Sequence, residues 1–257
     1  MYPGAGRVRV TCQDHRVVGA AILLYHAVAD ITRDPFGIAV SPATFDAHME
    51  IISKRYRPLT LSEVRDAAAN GSLAPRSVAV TFDDGYANNL TEALPTLAKL
   101  SVPATVFVAT GPVESGGEFW WDQLERLIFE AGRDASDTRT LTQRGVADLH
   151  HVRPGRHGPG GLGVAAPARA RSDPSGARAV RQWTGRDEQL LPRDSHRPMT
   201  VGELHAISAH PLIEVGAQTR SHPALSARDL ATQREEIAGG AHARDQTPHQ
   251  ARVGCSE

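Results

Sequence analysis

The run Val78-Ala79-Val80-Thr81-Phe82 ends in two adjacent carboxylates, Asp83 and Asp84, and then turns at Gly85. A short apolar run of this kind predicts a buried strand. Adjacent carboxylates repel each other and are costly to desolvate, so both at the end of a buried strand demand compensation. A metal ion supplies it, because its charge stabilises both anions. Taken alone, Asp-Gly is also a common turn pair, and the stretch then reads as a solvated turn with a helix cap. The buried strand in front favours the metal.

The surrounding pattern predicts an α/β fold. Val18 to Tyr25 is a continuous apolar run, expected as a strand buried on both faces. Ser41-Pro42 opens a helix that places Phe45, Met49 and Ile52 on one face. Thr60 to Glu63 is a capping box, with Gly71 as a helix end. After Phe82, Leu90, Leu94 and Leu97 mark a helix that Pro95 kinks or restarts. Ala104 to Ala109 is a further strand, and Asp122 to Ala131 a helix. Thr200 to Glu203 is a second capping box, Leu212 to Val215 a fourth strand, and Ser226 the expected cap of a last helix toward Ile237. Alternating strands and helices imply a parallel sheet whose strand C-termini share one rim. Ligands bind on that rim, where Asp83, Asp84 and His26 fall.

Residues 153–180 contain ten Gly or Pro and five Arg but almost no large apolar side chain, too little to offset the entropy of ordering. The expected organisation is an extension over 1–16, a domain over 17–238 with a disordered insertion at about 135–196, and a frayed tail over 239–257. The formal net charge of −1 and the absence of basic patches with interleaved aromatics argue against nucleic acid as a partner. The apolar stretch at 17–25 is too short for a membrane span or a signal peptide, so the expected location is cytoplasmic. Cys12 and Cys255 form neither a disulfide framework nor a metal pair.

A second segment reads Gln218-Thr219-Arg220-Ser221-His222-Pro223. Together with Thr81-Phe82-Asp83-Asp84-Gly85, it resembles the metal-dependent polysaccharide deacetylases of carbohydrate esterase family 4. Leu24-Tyr25-His26, Pro103 to Phe107 and Trp120-Trp121-Asp122 add to the resemblance, which spans roughly 20–130 and 197–238. The resemblance implies a distorted (β/α) barrel and a hydrolase that removes acetyl groups from N-acetylated sugars, cleaving carbon–nitrogen bonds outside peptides. It implies Asp84 and His222 as ligands of a divalent metal, most often zinc, and Asp83 as the general base. It implies an N-acetylated glycan or polysaccharide as the partner.

Two departures stand out. Gln218 occupies a position where the family carries histidine, and a neutral amide oxygen is a weak replacement. His26, at the end of another strand, is the candidate substitute ligand, or else a histidine hydrogen-bonded near the rim. The family's later strands have no counterpart after Ile237, which leaves a partial barrel and no assignable general acid. An open sheet edge invites self-association. The competing reading is therefore a truncated, catalytically impaired chain with weak glycan binding. Trp120 and Trp121 are candidate sugar-stacking residues or a core pair flanking a helix. Glu118 and Glu125 read as surface carboxylates. Ser221 and His222 lack a Gly-x-Ser-x-Gly elbow, which disfavours a serine hydrolase.

Overall fold

The computed structural model describes residues 19–130, 155–157, 161–163 and 191–245. In chain order the first elements are β1 (Ala21–Tyr25), β2 (Ala27–Val28), β3 (Ala39–Val40), α1 (Pro42–Arg55), β4 (Arg57–Leu59), α2 (Leu61–Ala69) and β5 (Ser77–Phe82). A π-helical turn, Asn89–Ala93, runs into α3 (Leu94–Leu100), followed by β6 (Ala104–Val108), α4 (Thr110–Ser115) and α5 (Trp120–Glu130). Then come the short antiparallel pair β7 (Gly155–His157) and β8 (Gly161–Gly163), α6 (Val201–Ser208), β9 (Ile213–Ala217) and α7 (Leu230–Asp245).

The main sheet is parallel, in the order β1-β5-β6-β9, with β4 also paired to the start of β5. Strand β5 is buried at every position, as its apolar run predicts. Side chains alternate across the pleat. Val78, Val80 and Phe82 join Phe45, Met49 and Ile52 of α1, Leu97 of α3 and Leu204 and Ile207 of α6 in the main core. The other face carries Ala79, Thr81, Thr105 and Glu214. There Thr105 Oγ1 donates to Glu214 Oε2 at 3.0 Å, and the first turn of α2 adds a bond from the Ser62 N–H to the same oxygen at 3.3 Å.

Several expectations hold locally. Ser41 caps α1, and Thr60–Glu63 and Thr200–Glu203 both close reciprocal capping boxes. Pro95 falls in the first turn of α3, where the π-helical turn gives way to a regular helix.

Others need correction. Among the described residues strand β1 is an edge strand, not one buried on both faces: Ile22 and Leu24 are 57% and 56% exposed, because no described residue covers the face they share with Ala79 and Thr81 at this end. The last helix starts at Leu230 and is capped by Asp229, whose Oδ1 accepts the Thr232 N–H at 2.9 Å; Ser226 lies in a preceding 3-10 turn. That helix continues through Gly239-Gly240 to Asp245, so residues 239–245 are not a tail. The expected extension over 1–16, most of the insertion, and the end of the chain lie outside the described residues. The last part of the expected insertion, 191–196, is packed against the site.

Candidate active site

At the end of β5 the backbone reverses sharply. The Asp83 N–H still donates to Tyr25 O (2.9 Å), but Asp84 and Gly85 adopt left-handed conformations, φ 74° and 88°. A Cβ on Gly85 would stand 3.0 Å from Val108 Cγ1, so both conformation and space call for glycine. The Asp84 carbonyl accepts the Ala109 N–H at 3.1 Å, which draws the residue inward. Asp84 is thus 2% exposed, and its Oδ1 has no hydrogen-bond partner. Burial, reinforced by the charge of Asp83, pushes its carboxyl up to about 8. Burial also raises Asp83, which is half-buried, and the Gln218 amide partly offsets that.

The second segment leaves β9. The Gln218 N–H donates to Val108 O at 2.9 Å, extending the sheet by one residue. Thr219 and His222 then take left-handed conformations, φ 58° and 56°. Such conformations are rare for non-glycine residues and persist only where surroundings enforce them. Three groups do so here. Glu236 of α7 accepts the Arg220 N–H (2.9 Å), the Ser221 N–H (2.8 Å) and the Ser221 hydroxyl (2.5 Å). The Gly111 N–H at the start of α4 donates to Arg220 O at 2.8 Å. Gly240 lets α7 press on the loop, since a Cβ there would lie 2.7 Å from the Thr219 carbonyl carbon. Sequence reasoning missed Glu236; its position on a helix after the motif gives no local signal.

These two turns bring Asp84 Oδ1 to 3.4 Å from His222 Nε2, without hydrogen-bond geometry. Two atoms bound at ~2.05 Å to one tetrahedral ion stand about 3.3 Å apart. An orphaned buried carboxylate oxygen facing an imidazole nitrogen therefore fits two ligands of a cation. Burial lowers the His222 pKa and keeps the ring neutral, as ligation requires. Gln218 lies between: its Oε1 accepts the Asp84 N–H at 2.6 Å, and its Nε2 is 2.8 Å from His222 Nε2. Burial also lowers the His26 pKa, with His222 lowering it further and Asp34 acting against both. Among the described residues no group of three or more His, Cys, Asp or Glu is arranged to hold one ion.

An aromatic wall stands beside His222. The Trp121 ring meets it edge-on at 5.1 Å between centroids and stacks on Phe119 at 4.9 Å. The Trp121 indole donates to Tyr86 Oη (2.8 Å), which donates in turn to Asp122 Oδ2 (2.7 Å). Trp120 packs edge-on against Trp121, and its indole nitrogen is buried without a partner. Behind this wall, Glu118 and Glu125 are buried, at 5% and 4% exposure, and not surface carboxylates as their sequence context suggests. Arg193 compensates them. Its Nε and Nη2 grip Glu118 at 3.0 and 3.1 Å, and its Nη1 donates to Glu125 at 2.8 Å. Burial works against the Arg193 charge, but the hydrogen bonds to both glutamates overcome it and raise its pKa.

Residues 70–146 match the family model for polysaccharide deacetylases. A Bacillus subtilis (strain 168) protein, "Putative polysaccharide deacetylase YxkH", is 32% identical over 89 residues, covering 34% of this chain and 30% of that protein. Over residues 70–146 the chain is therefore similar to the polysaccharide deacetylases. The match spans less than a third of this curated relative's length. Among solved structures, the Streptococcus pyogenes deacetylase PplD, in complex with acetate, aligns over 89% of this chain and 68% of its own, with 18% identity and a TM-score of 0.52. That similarity shows the deacetylase fold. Within this fold, both turns come from strand ends on one rim of the sheet, as the alternation of strands and helices requires.

Proposed function

We propose that the chain is a metal-dependent hydrolase that removes acetyl groups from N-acetylated glycans, cleaving a carbon–nitrogen bond outside peptides. One observation carries this reading: the buried, unpartnered Asp84 Oδ1 stands 3.4 Å from His222 Nε2. In this reading Asp84 and His222 hold a divalent cation, zinc by preference, because carboxylate and imidazole suit that ion. When bound, the cation acts as a Lewis acid on the acetyl carbonyl and on the attacking water. Asp83 is the general base, and burial raises its proton affinity, as a group that takes a proton needs. Gln218 stands where a third partner would, with its amide engaged by Asp84 and His222, and His26, within electrostatic reach of His222, is the reserve ligand. Trp120 and Trp121 line the sugar side, where aromatic faces pack on sugar rings. No general acid is assigned. The exposed Ile22 and Leu24 on edge strand β1 support self-association through that edge.

The engaged amide of Gln218 favours a second reading, an impaired chain that retains weak glycan binding. Acetate release from N-acetylglucosamine oligomers, with and without zinc, separates the two. Zinc-dependent release that disappears in Asp83→Asn supports the hydrolase. No turnover in either the wild type or Gln218→His leaves the impaired chain. Among the described residues no helix is long and apolar enough to cross a membrane.

A further inference from the structure

The orientation of Gln218 is dictated by its neighbours. The Asp84 N–H can only donate, so the atom 2.6 Å from it must be the amide oxygen. The amide NH2 then faces His222 Nε2 at 2.8 Å. An amide NH2 also only donates, so His222 Nε2 must accept, and the ring proton sits on Nδ1. The Nε2 lone pair that accepts from Gln218 is the one the imidazole would give to a cation beside Asp84 Oδ1. Turning the amide over, to offer its oxygen to a cation, would set NH2 against the Asp84 N–H. The backbone under Gln218 is held by its own bond to Val108 O, and the residues after it by Glu236 and Gly240. The amide must therefore swing away as a unit before the imidazole is free.

We infer that Gln218 is an internal competitor for the cation: it occupies the His222 lone pair and must be displaced when metal binds. Gln218 is thus more than a missing ligand, and the two ideas predict different results for its removal. This inference rests on the metal reading of Asp84 and His222. If Gln218 only fails to ligate, Gln218→Ala leaves zinc affinity unchanged. If it competes, Gln218→Ala binds zinc more tightly, on the order of fivefold, the worth of one net hydrogen bond.

Zinc chloride titrated calorimetrically into the metal-free wild type, Gln218→Ala and Gln218→His tests this, with cobalt absorption as a second probe. The expected order is Gln218→His tightest, then Gln218→Ala, then wild type. Equal or weaker binding by Gln218→Ala, with tight binding by Gln218→His, overturns the competition and keeps the metal reading. No binding by any of the three overturns both. Nitrogen NMR of metal-free wild type gives a readout that needs no variant to fold. His222 is expected as the Nδ1–H tautomer, and an Nε2–H ring would overturn the inference.

Discussion

Replacing Arg193 by methionine removes a guanidinium that grips both buried glutamates behind the aromatic wall. Arg193 makes three charge-assisted bonds, two to Glu118 and one to Glu125, plus a bond from Nη2 to the Asp122 carbonyl at 3.1 Å. Methionine keeps much of the stem but leaves two carboxylates buried at 5% and 4% exposure. Removing one partner of a buried ion pair costs about 3–5 kcal/mol, most of it the uncompensated charge left behind. Two features bring the expected value to the lower end, about 3 kcal/mol. The Arg193 side chain is 24% exposed, and Arg33 and Arg126 stand 3.7 Å from Glu125 and Glu118, where they screen part of the charge. A carboxylate stranded without its cation costs stability only while it is charged, so the deficit falls as protonation neutralises it at low pH. The deficit should be largest near pH 7.5 and shrink toward pH 5, as in the usual carboxylate range. Urea unfolding at both pH values, with the wild type in parallel, measures it. A deficit below about 1 kcal/mol, or one that grows at low pH, would refute the buried-charge argument.

Three further outcomes are expected. Glu236→Ala frees the loop that carries His222, so zinc affinity should fall about tenfold, and the Arg220 and Ser221 amides, now without their acceptor, should exchange faster with deuterium. The Arg197–Glu203 pair lowers Glu203 from 4.5 to about 2, mainly through the Arg197 hydrogen bond, a shift equal to about 3 kcal/mol if fully transmitted. Both side chains reach solvent, 28% and 23% exposed, so Arg197→Met should cost about 1 kcal/mol above pH 4.5, and the difference should vanish as pH falls toward 2. The wild type is expected to gain mass with concentration in light scattering and Ile22→Thr with Leu24→Thr to lose that rise; a wild type of constant mass, or a profile the variant leaves unchanged, would remove β1 as a contact.

What could be read from the sequence was local. The Ser41 cap, the two capping boxes and the buried run of β5 depend on residues a few positions apart, and each stands where its pattern places it. The paired aspartates stand out in the sequence because an unusual charge follows an apolar strand, and that contradiction has few physical remedies; His222 stands out only through the resemblance of its segment to a known family. What was not legible depends on distant partners. The apolar run of β1 states a demand for burial, but only the sheet order shows that one of its faces is uncovered. Glu118 and Glu125 look exposed from their neighbours, because their cation is 75 and 68 residues further along. Helix α4 begins Thr110-Gly111-Pro112, a poor helical start by propensity, and forms where its first turn meets the Arg220 carbonyl.

The same division runs through the candidate site. The sequence names Gln218 as a weak ligand, which is a statement about the residue type. Its position makes a stronger statement, because the Asp84 N–H takes the only atom with which Gln218 could ligate. That N–H points at Gln218 because Asp84 is held left-handed between the Ala109 N–H and Gly85. In the metal reading, the turn that buries the Asp84 carboxylate also supplies the donor that locks the Gln218 amide. Both effects come from one backbone conformation, so a substitution at Gly85 should disturb metal affinity and the His222 tautomer together. Gly85→Ala meets Val108 at 3.0 Å and adds a left-handed penalty of about 1 kcal/mol. If it changed zinc affinity while the His222 ring kept its Nδ1–H form, the shared origin in that turn would be wrong.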